Sequence, residues 1–264
     1  MMPGFPDHPE PAPPMADDAR IETLLRERTR FSRLVHLPSC PSTQDHAASE
    51  PRTGDLAVWA DHQTRGRGRQ QREWHDEPGK DLAVTFRVTA ALPTPLALPA
   101  ALPVAVLQAC EEAVQRPLRI KWPNDLFLDG RKLCGVLIDA GTGGPDTYLI
   151  GIGVNCNRVR FPPDLEATAC SLASATGREV DRGALLLGIA VRVDAMLRSL
   201  ALRDHTDLEA VFRDRLGLVG QRVTVDAAET HDGVLIHLDF QALTLDGERR
   251  VPLAIVRAIR RGEP

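Results

Sequence analysis

The sequence predicts an α+β fold, a mixed and largely antiparallel sheet packed with helices, followed by a small all-β unit. Extended and helical segments alternate from Phe31 to Leu216, whereas only short extended segments separated by turn residues follow Gly217. Of the 264 residues, 43% are apolar, which is enough for a sizeable core, and the length lies where single cores begin to split. The expected divisions are a tail and short helix over 1–30, a main domain over 31–216 and a small domain over 217–264.

Six prolines between Met1 and Pro14 remove amide donors and predict a disordered tail. Asp17–Arg30 sets Ile21, Leu24 and Leu25 on one face and predicts a docking helix or frayed end, too short and isolated for a helix-turn-helix. Arg33–Leu37 and Leu56–Ala60 read as strands flanking a short helix, Thr43–Ser49, with Ser42 as its N-cap. Leu82–Val88 is a third strand. Leu98–Gln115 is apolar and Ala-rich, and its prolines suggest that the regular helix begins near Pro103. Leu118–Trp122 and Asp125–Leu128 are short extended segments. Asp129-Gly130 signals a tight hairpin into Arg131–Ala140, and Thr147–Val154 follows a Gly/Pro loop, so these strands are expected to be consecutive and antiparallel. Leu185–Leu200 has a helical apolar stripe that Asp181 can cap, and Leu208–Leu216 is a further helix. The short strands Arg222–Val225, Gly233–Asp239, Ala242–Leu245 and Arg249–Pro252 suggest a small barrel.

Charge narrows the function. Lys and Arg total 32 against 36 Asp and Glu, a formal charge of -4, so nucleic acid is not held by overall charge and any anion site is local. The five cysteines are scattered, with no Cys-x-x-Cys, which excludes a disulfide framework or zinc knuckle and fits a reducing compartment. The start lacks a secretory signal, and no apolar run is read as reaching the ~18 residues of a membrane span. A cytoplasmic protein without membrane partners is expected.

Three segments carry chemistry. In Gln63-Thr-Arg-Gly-Arg-Gly-Arg-Gln-Gln-Arg-Glu-Trp74, glycines that expose backbone amides alternate with Arg65, Arg67 and Arg69, a pattern suited to a carboxylate or phosphate. It is neither a P-loop nor a full dinucleotide fingerprint. In Lys121-Trp-Pro-Asn-Asp125, followed by Arg131-Lys-Leu-Cys-Gly-Val-Leu137, Lys121 and Lys132 can converge across the sheet. Such ammonium groups repel unless an anion lies between them, and there they can neutralise charge growing on reacting groups. In Gly151-Ile-Gly-Val-Asn-Cys-Asn157, bare backbone permits close approach of a ring, and Asn155 offers an amide to a base edge.

The order Ser42-Thr-Gln, Gln63-x-x-Gly-Arg-Gly-Arg, Lys121-Trp-Pro-Asn-Asp, Lys132-Leu-x-Gly-Val-Leu, Gly151-Ile-Gly-Val-Asn resembles the biotin–protein ligase family from about Leu34 to the C-terminus. The resemblance implies that ATP and magnesium activate biotin to biotinyl-5′-adenylate, and that biotin is then transferred to a lysine of a biotin carboxyl carrier protein domain. It implies an α+β catalytic domain with an SH3-like C-terminal domain. By the same resemblance, Ser42, Thr43, Gln44 and Gln63 line the biotin head-group pocket, and Gly135 and Leu137 pack on biotin. Arg67, Gly68 and Arg69 hold the carboxylate and then the adenylate phosphate. Lys132 binds the reacting carboxylate and α-phosphate, with Lys121 as a second cation. Trp74, Asn124 and Asn155 fall on the nucleotide side, and Asp125 on the metal side. The sequence departs from the family at Gln44 (usually Asn), Gln71 (Gly), Cys134 (a small residue), Asp76 and Asp81 (Ser and Asn) and Gln241 (Gly). With no long DNA-binding domain ahead of the catalytic motifs, DNA binding is not expected. A lipoate or octanoate ligase or transferase of the same fold is the nearest alternative; Lys-Trp-Pro-Asn-Asp and the C-terminal barrel favour biotin. A non-catalytic RNA-binding protein is disfavoured by net acidity and an aromatic content of 4%.

Overall fold

The alternation of the sequence is realised as a seven-stranded sheet. In the computed structural model, which describes residues 16–142 and 144–262, its strands are β1 (Arg33–Leu37), β2 (Leu56–Ala60), β3 (Leu82–Thr89), β4 (Arg119–Lys121), β5 (Asp125–Leu128), β6 (Arg131–Ala140) and β7 (Thr147–Val154). Their order is β1-β2-β3-β7-β6-β5-β4, parallel between β1 and β2 and antiparallel elsewhere. The one parallel pair follows from its connection: α2 (Thr43–Ser49) crosses between β1 and β2, whereas β5 to β6 closes by a turn with Asp129 at φ 51° and Gly130 at φ 75°. The proline-rich stretch expected to be disordered lies outside the described residues.

Helices cover both faces. α2 packs on one side over Val35, Leu37, Leu56, Val58, Ala60 and Leu149. On the other lie α3 (Leu98–Val114) and α5 (Arg182–Leu202), with α1 (Ala16–Arg28) against α5 and β1, α4 (Leu172–Thr176) against α3, and α6 (Thr206–Leu216) against α3 and β4. The Asp181 side chain caps α5 by accepting from the Ala184 amide at 3.0 Å. Ser42 has the extended backbone of an N-cap for α2, but its side chain makes no cap hydrogen bond. α3 begins at Leu98, five residues before Pro103, with Pro99 in its first turn and Pro103 inside it. Contrary to the sequence reading, Pro95–Val114 is long and apolar enough to cross a membrane; 72% of that stretch is buried inside the fold, where it is the central core helix. α1 is docked rather than frayed: Leu25 is fully buried, and Ile21 fits so closely over Gly183 that a Cβ there would lie 2.6 Å from its methyl. All five cysteines are free and buried, and burial pushes the Cys40 and Cys110 thiols up to about 11 and about 12, so neither is poised as a nucleophile.

The C-terminal strands β8 (Arg222–Asp226), β9 (Thr230–Leu238), β10 (Ala242–Leu245), β11 (Arg249–Pro252) and β12 (Ala258–Arg261) form an antiparallel sheet ordered β11-β10-β9-β8-β12. The pairing is open, not a closed barrel. β12 escaped the sequence reading because Ile259 is its one large apolar residue. The change of character at Gly217 does not interrupt the core. Trp122 Nε1 donates to the Val256 carbonyl at 2.9 Å, and Phe212 packs between Trp122 and Phe240 with ring centroids 6.0 and 5.6 Å away.

Two polar clusters fix helices on the two faces of the sheet, α2 beside the cleft and α1 on the opposite face. Arg87 is 5% exposed and donates to the carbonyls of Ala47, Glu50, Pro51 and Gly54 at 3.1, 2.6, 2.7 and 3.3 Å, closing the C-terminal end of α2 and the loop after it. Arg87→Met leaves these carbonyls without donors and is expected to destabilise the chain by about 2–3 kcal/mol, read as a lower denaturation midpoint at constant m-value.

The second cluster ties α1 to the sheet. His36 stacks on Trp59 at 3.9 Å, its Nδ1 lies 2.9 Å from Asp18, and its Nε2 lies 3.3 Å from Asp61, which also pairs with Arg182 at 2.8 Å. Burial pulls the His36 pKa down, but the Asp61 and Asp18 carboxylates outweigh it and raise it above the ordinary 6.5. A raised histidine pKa stabilises the fold fully below the unfolded value and loses that stabilisation as pH climbs through the folded value. Stability is therefore expected to fall as pH rises above about 6.5. In His36→Gln this alkaline limb disappears from the pH dependence of the denaturation midpoint.

Candidate functional site

The site is built on one face of the large sheet. Ladder partners on that face are Thr85 and Gly151, Leu137 and Gly151, Gly135 and Gly153, Asp125 and Gly135, and Lys121 and Asp125. Simple alternation would put Lys132 with Cys134 on the opposite face. A bulge prevents this: Leu126 faces Cys134 while the next residue, Phe127, faces Lys132, so β6 carries one extra residue. Leu133 and Cys134 are both fully buried in the core, and Lys132 is returned to the site face.

Between this face, α2, the Gln63–Trp74 loop and the C-terminal sheet lies a cleft of about 560 Å³. The residues put forward from the sequence line it, except Asn155. Asn155 is 5% exposed, and its Nδ2 donates to the Cys170 carbonyl at 3.0 Å and to the Lys132 carbonyl at 3.4 Å. With its donors spent, Asn155 braces the Lys132 strand instead of reading a base edge.

At one end of the cleft the groups are neutral. The Thr43 amide and hydroxyl both donate to Gln63 Oε1, at 2.8 and 3.1 Å, and Thr85 donates to the Thr43 hydroxyl at 2.9 Å. With its oxygen engaged, Gln63 retains its amide hydrogens for a ligand. Gln44, 3% exposed, donates from Nε2 to Asp139 at 3.1 Å and to the Leu149 carbonyl at 3.4 Å, and its Oε1 is buried without a partner.

The other end is cationic, and the cations differ. Lys132 Nζ lies 2.7 Å from Asp125 Oδ1, and Lys121 Nζ lies 5.1 Å from the Phe127 ring centroid. The two lysines share the cleft, but Asp125 balances Lys132 rather than a group held between the two. Arg67 is spent: it bonds Asp45 at 2.5 Å and Asp139 at 3.3 Å, which raise its pKa. Arg69 makes no ion pair among the described residues, and burial lowers its pKa while the Asp125 charge acts against this. Arg69 thus remains available to an anion, and Arg67 is a latch for the loop. Asn124 pins the β4–β5 turn, donating from Nδ2 to the Val136 carbonyl at 3.0 Å.

The loop itself is ordered by backbone pairing, with the Trp74 amide on the Gly66 carbonyl at 2.9 Å and the Gly68 amide on the Arg72 carbonyl at 2.7 Å. A Cβ at Gly66 would meet the Trp74 carbonyl at 2.7 Å, so only glycine fits there. The loop delivers Trp74 onto the bare backbone of Gly135 and Gly153. A Cβ at Gly153 would lie 2.5 Å from its indole, and Lys132 Nζ lies 5.9 Å from its ring centroid. The ring expected on these glycines is thus one of the chain's own.

Two sequence departures are neutralised locally. Asp76 accepts from the Gln63 amide at 2.8 Å and pairs with His62 at 2.7 Å. Asp81, 1% exposed, is paired with Arg158, which also donates to the His75 carbonyl at 2.7 Å and so anchors the chain after Trp74. Sequence reasoning missed Asp139 and Thr85, which strand alternation from Leu137 and from Ala83 could have found. It also missed Asp226, Arg257 and Arg260, which line the cleft from the C-terminal sheet and belong to no motif. Among the described residues, no group of three or more His, Cys, Asp or Glu could hold a metal ion. Asp125 is a single carboxylate engaged by Lys132, so a divalent cation here would depend mainly on ligand oxygens.

Residues 37–157 match the model of the biotin/lipoate A/B protein ligase family. The bifunctional ligase/repressor BirA of Bacillus subtilis is 32% identical over 211 residues, covering 76% of this chain and 64% of the relative, so the chain spans about two-thirds of that protein's length. The biotin–[acetyl-CoA-carboxylase] ligase of Mycobacterium tuberculosis is 27% identical, covering 86% of this chain and 87% of the relative. Among solved structures, a biotin protein ligase from Aquifex aeolicus in complex with biotin and ATP superposes with a TM-score of 0.78 at 26% identity, covering 88% of this chain and 100% of that one. With its motifs in order on one cleft, the chain matches the biotin/lipoate A/B protein ligase family over its central part and is similar to biotin protein ligases along most of its length.

Proposed function

We propose that the protein activates biotin with ATP to biotinyl-5′-adenylate and transfers biotin to a lysine of a carboxyl carrier protein domain. The observation that carries this is the division of one cleft into a neutral end, with the Gln44 acceptor and Gln63 donors, and a cationic end, with Arg69, Lys121 and Lys132. A cyclic urea needs both donors and acceptors, and a carboxylate meeting a triphosphate needs cations. A lipoyl or octanoyl group would leave the neutral end unsatisfied.

In the first step a biotin carboxylate oxygen attacks the α-phosphorus and pyrophosphate leaves. Lys132 exchanges Asp125 for the oxygens of the reacting groups, and Arg69 neutralises the phosphate. Asp125 is the residue of this chain that would hold a magnesium ion accompanying the triphosphate, and the ion would supply charge neutralisation there. In the second step the carrier amine attacks the biotinyl carbonyl and AMP leaves. The Gln63–Trp74 loop excludes water from the mixed anhydride in between. In this reading, residues 31–216 are the catalytic domain and 217–264 an SH3-like domain. Its Arg257 and Arg260 approach the ATP side, so it serves the first step as well as docking the carrier.

Lys132→Ala is expected to slow biotin-dependent pyrophosphate exchange by about 10²–10³-fold, or about 2.7–4 kcal/mol of barrier, with an unchanged far-UV circular dichroism spectrum. Exchange at the wild-type rate would remove Lys132 from the reaction. Arg69→Gly deletes a loop guanidinium that lines the cleft without an ion pair among the described residues, and is expected to release adenylate, so that lysines of bystander proteins become biotinylated in a mixed incubation. Labelling confined to the carrier would contradict this.

A further inference from the structure

We infer that Asp139 is a positioning residue that fixes which end of the Gln44 amide is left unpartnered beside Gly151 in the cleft wall, and thereby makes the head-group pocket demand an N–H donor from its ligand. The inference rests on the biotin-activating reading of the same cleft. Gln44 has two polar neighbours, Asp139 Oδ2 at 3.1 Å and the Leu149 carbonyl at 3.4 Å. An ionised carboxylate and a carbonyl only accept, so the amide NH₂ must point at them; the flipped amide would set oxygen against oxygen. The oxygen is therefore the end left over. It is buried without a partner, and it is pressed against Gly151 so closely that a Cβ there would lie 3.1 Å from it.

A buried acceptor with no donor is costly, and a ligand N–H recovers that cost. The cyclic urea of biotin presents two N–H groups; a dithiolane or an alkyl chain presents none. A site built to satisfy a buried polar group discriminates strongly against an analogue lacking the matching group. The Leu149 carbonyl is the longer of the two contacts, so Asp139 is the principal determinant of the amide's orientation. The same Asp139 Oδ2 accepts from Arg67 at 3.3 Å, and Arg67 bonds Asp45 of α2. One carboxylate therefore holds both the selecting amide of the pocket and Arg67 of the loop that covers the reacting end. Asp139 touches no reacting atom; it acts through Gln44 and Arg67.

The test measures pyrophosphate exchange by the full chain, with biotin and with octanoate, a carboxylate that has no N–H donor. The chains compared are wild type, Asp139→Asn, Asp139→Glu, Gln44→Leu and the Gln44→Leu/Asp139→Asn double variant. The amide that Asp139→Asn introduces can donate or accept, so it no longer dictates the orientation of Gln44. In Asp139→Asn the KM for biotin is expected to rise about tenfold, with a smaller fall in kcat, and the kcat/KM ratio of biotin to octanoate to narrow by a similar factor. Asp139→Glu, which keeps an obligate acceptor, is expected to recover most of that ratio. In the Gln44→Leu background, adding Asp139→Asn is expected to change the ratio less than twofold, because the group it orients is gone. A biotin-to-octanoate ratio unchanged in Asp139→Asn, or full multiplicative losses in the double variant, would overturn the positioning role. Should Asp139→Asn not fold, Asp139→Ala compared with Asp139→Glu separates the same outcomes. A wild-type chain that exchanges pyrophosphate with neither acid overturns the functional reading and this inference with it. A wild-type chain that exchanges with biotin, beside an indistinguishable Asp139→Asn, overturns only the inference.

Discussion

The extra residue in β6 is the constraint on which the cleft depends. Strand alternation assigns each side chain to a face with no latitude, so one residue more or less between Lys132 and Gly135 decides whether the ammonium meets Asp125 or the core. The bulge lets one strand do two incompatible things. Leu133 and Cys134 are consecutive and both fully buried against the central helix, while Lys132 and Gly135 on either side of them both face the cleft. Asn155 completes the arrangement from the adjacent strand end, where its amide bonds the Lys132 and Cys170 carbonyls across the irregular ladder.

A second constraint is charge. The chain is acidic overall, yet its cleft gathers lysines and arginines, and three of these have a carboxylate of their own: Asp125 for Lys132, Asp45 and Asp139 for Arg67, Asp226 for Arg257. Such pairs hold cationic side chains in position without a ligand. An entering carboxylate or phosphate can replace an internal partner instead of ordering a free side chain, which lowers the entropic cost of binding. Arg69 differs from these three, being half-buried, depressed in pKa and without an ion pair among the described residues.

Much of this is legible in the sequence, for reasons that differ by element. The bounds of β1, β2, β5, β6 and β7 follow from apolar runs closed by turn residues, and Asp129-Gly130 gives the hairpin directly. Proline weighed as a breaker puts the start of α3 too late. Burial between the sheet and α5 overrides the single carbonyl that Pro103 leaves without its donor. The cleft-lining residues are recoverable from linear motifs wherever the motif residues lie together, as in Ser42-Thr-Gln and Lys-Trp-Pro-Asn-Asp. Three things are not recoverable. Arg67 and Arg69 look equivalent in the sequence but are not, because Asp45 and Asp139 come from distant segments. Asp81 looks like an uncompensated charge until Arg158, far along the chain, closes on it. Asn155 looks exposed to a ligand until its carbonyl partners are known.

The glycine platform ties these constraints together. Gly135 and Gly153 are cross-strand partners, and their shared bare surface is filled by Trp74, which the loop delivers through the backbone pairing of Gly66 with Trp74. The chain just after the indole is anchored by Arg158 on the His75 carbonyl, and Arg158 is itself paired with the buried Asp81. The loop before the indole is anchored by Arg67 on Asp45 and Asp139. Between those anchors runs the chain from Gly68 to Trp74, with Gln70 at a positive φ of 57°. The Gly68 amide on the Arg72 carbonyl closes this span on itself, and Arg69 sits inside that closure without an ion pair among the described residues. An anion bound by Arg69 would therefore be held between the two charged anchors of the loop, so that the contact that binds the anion is part of the cover over it.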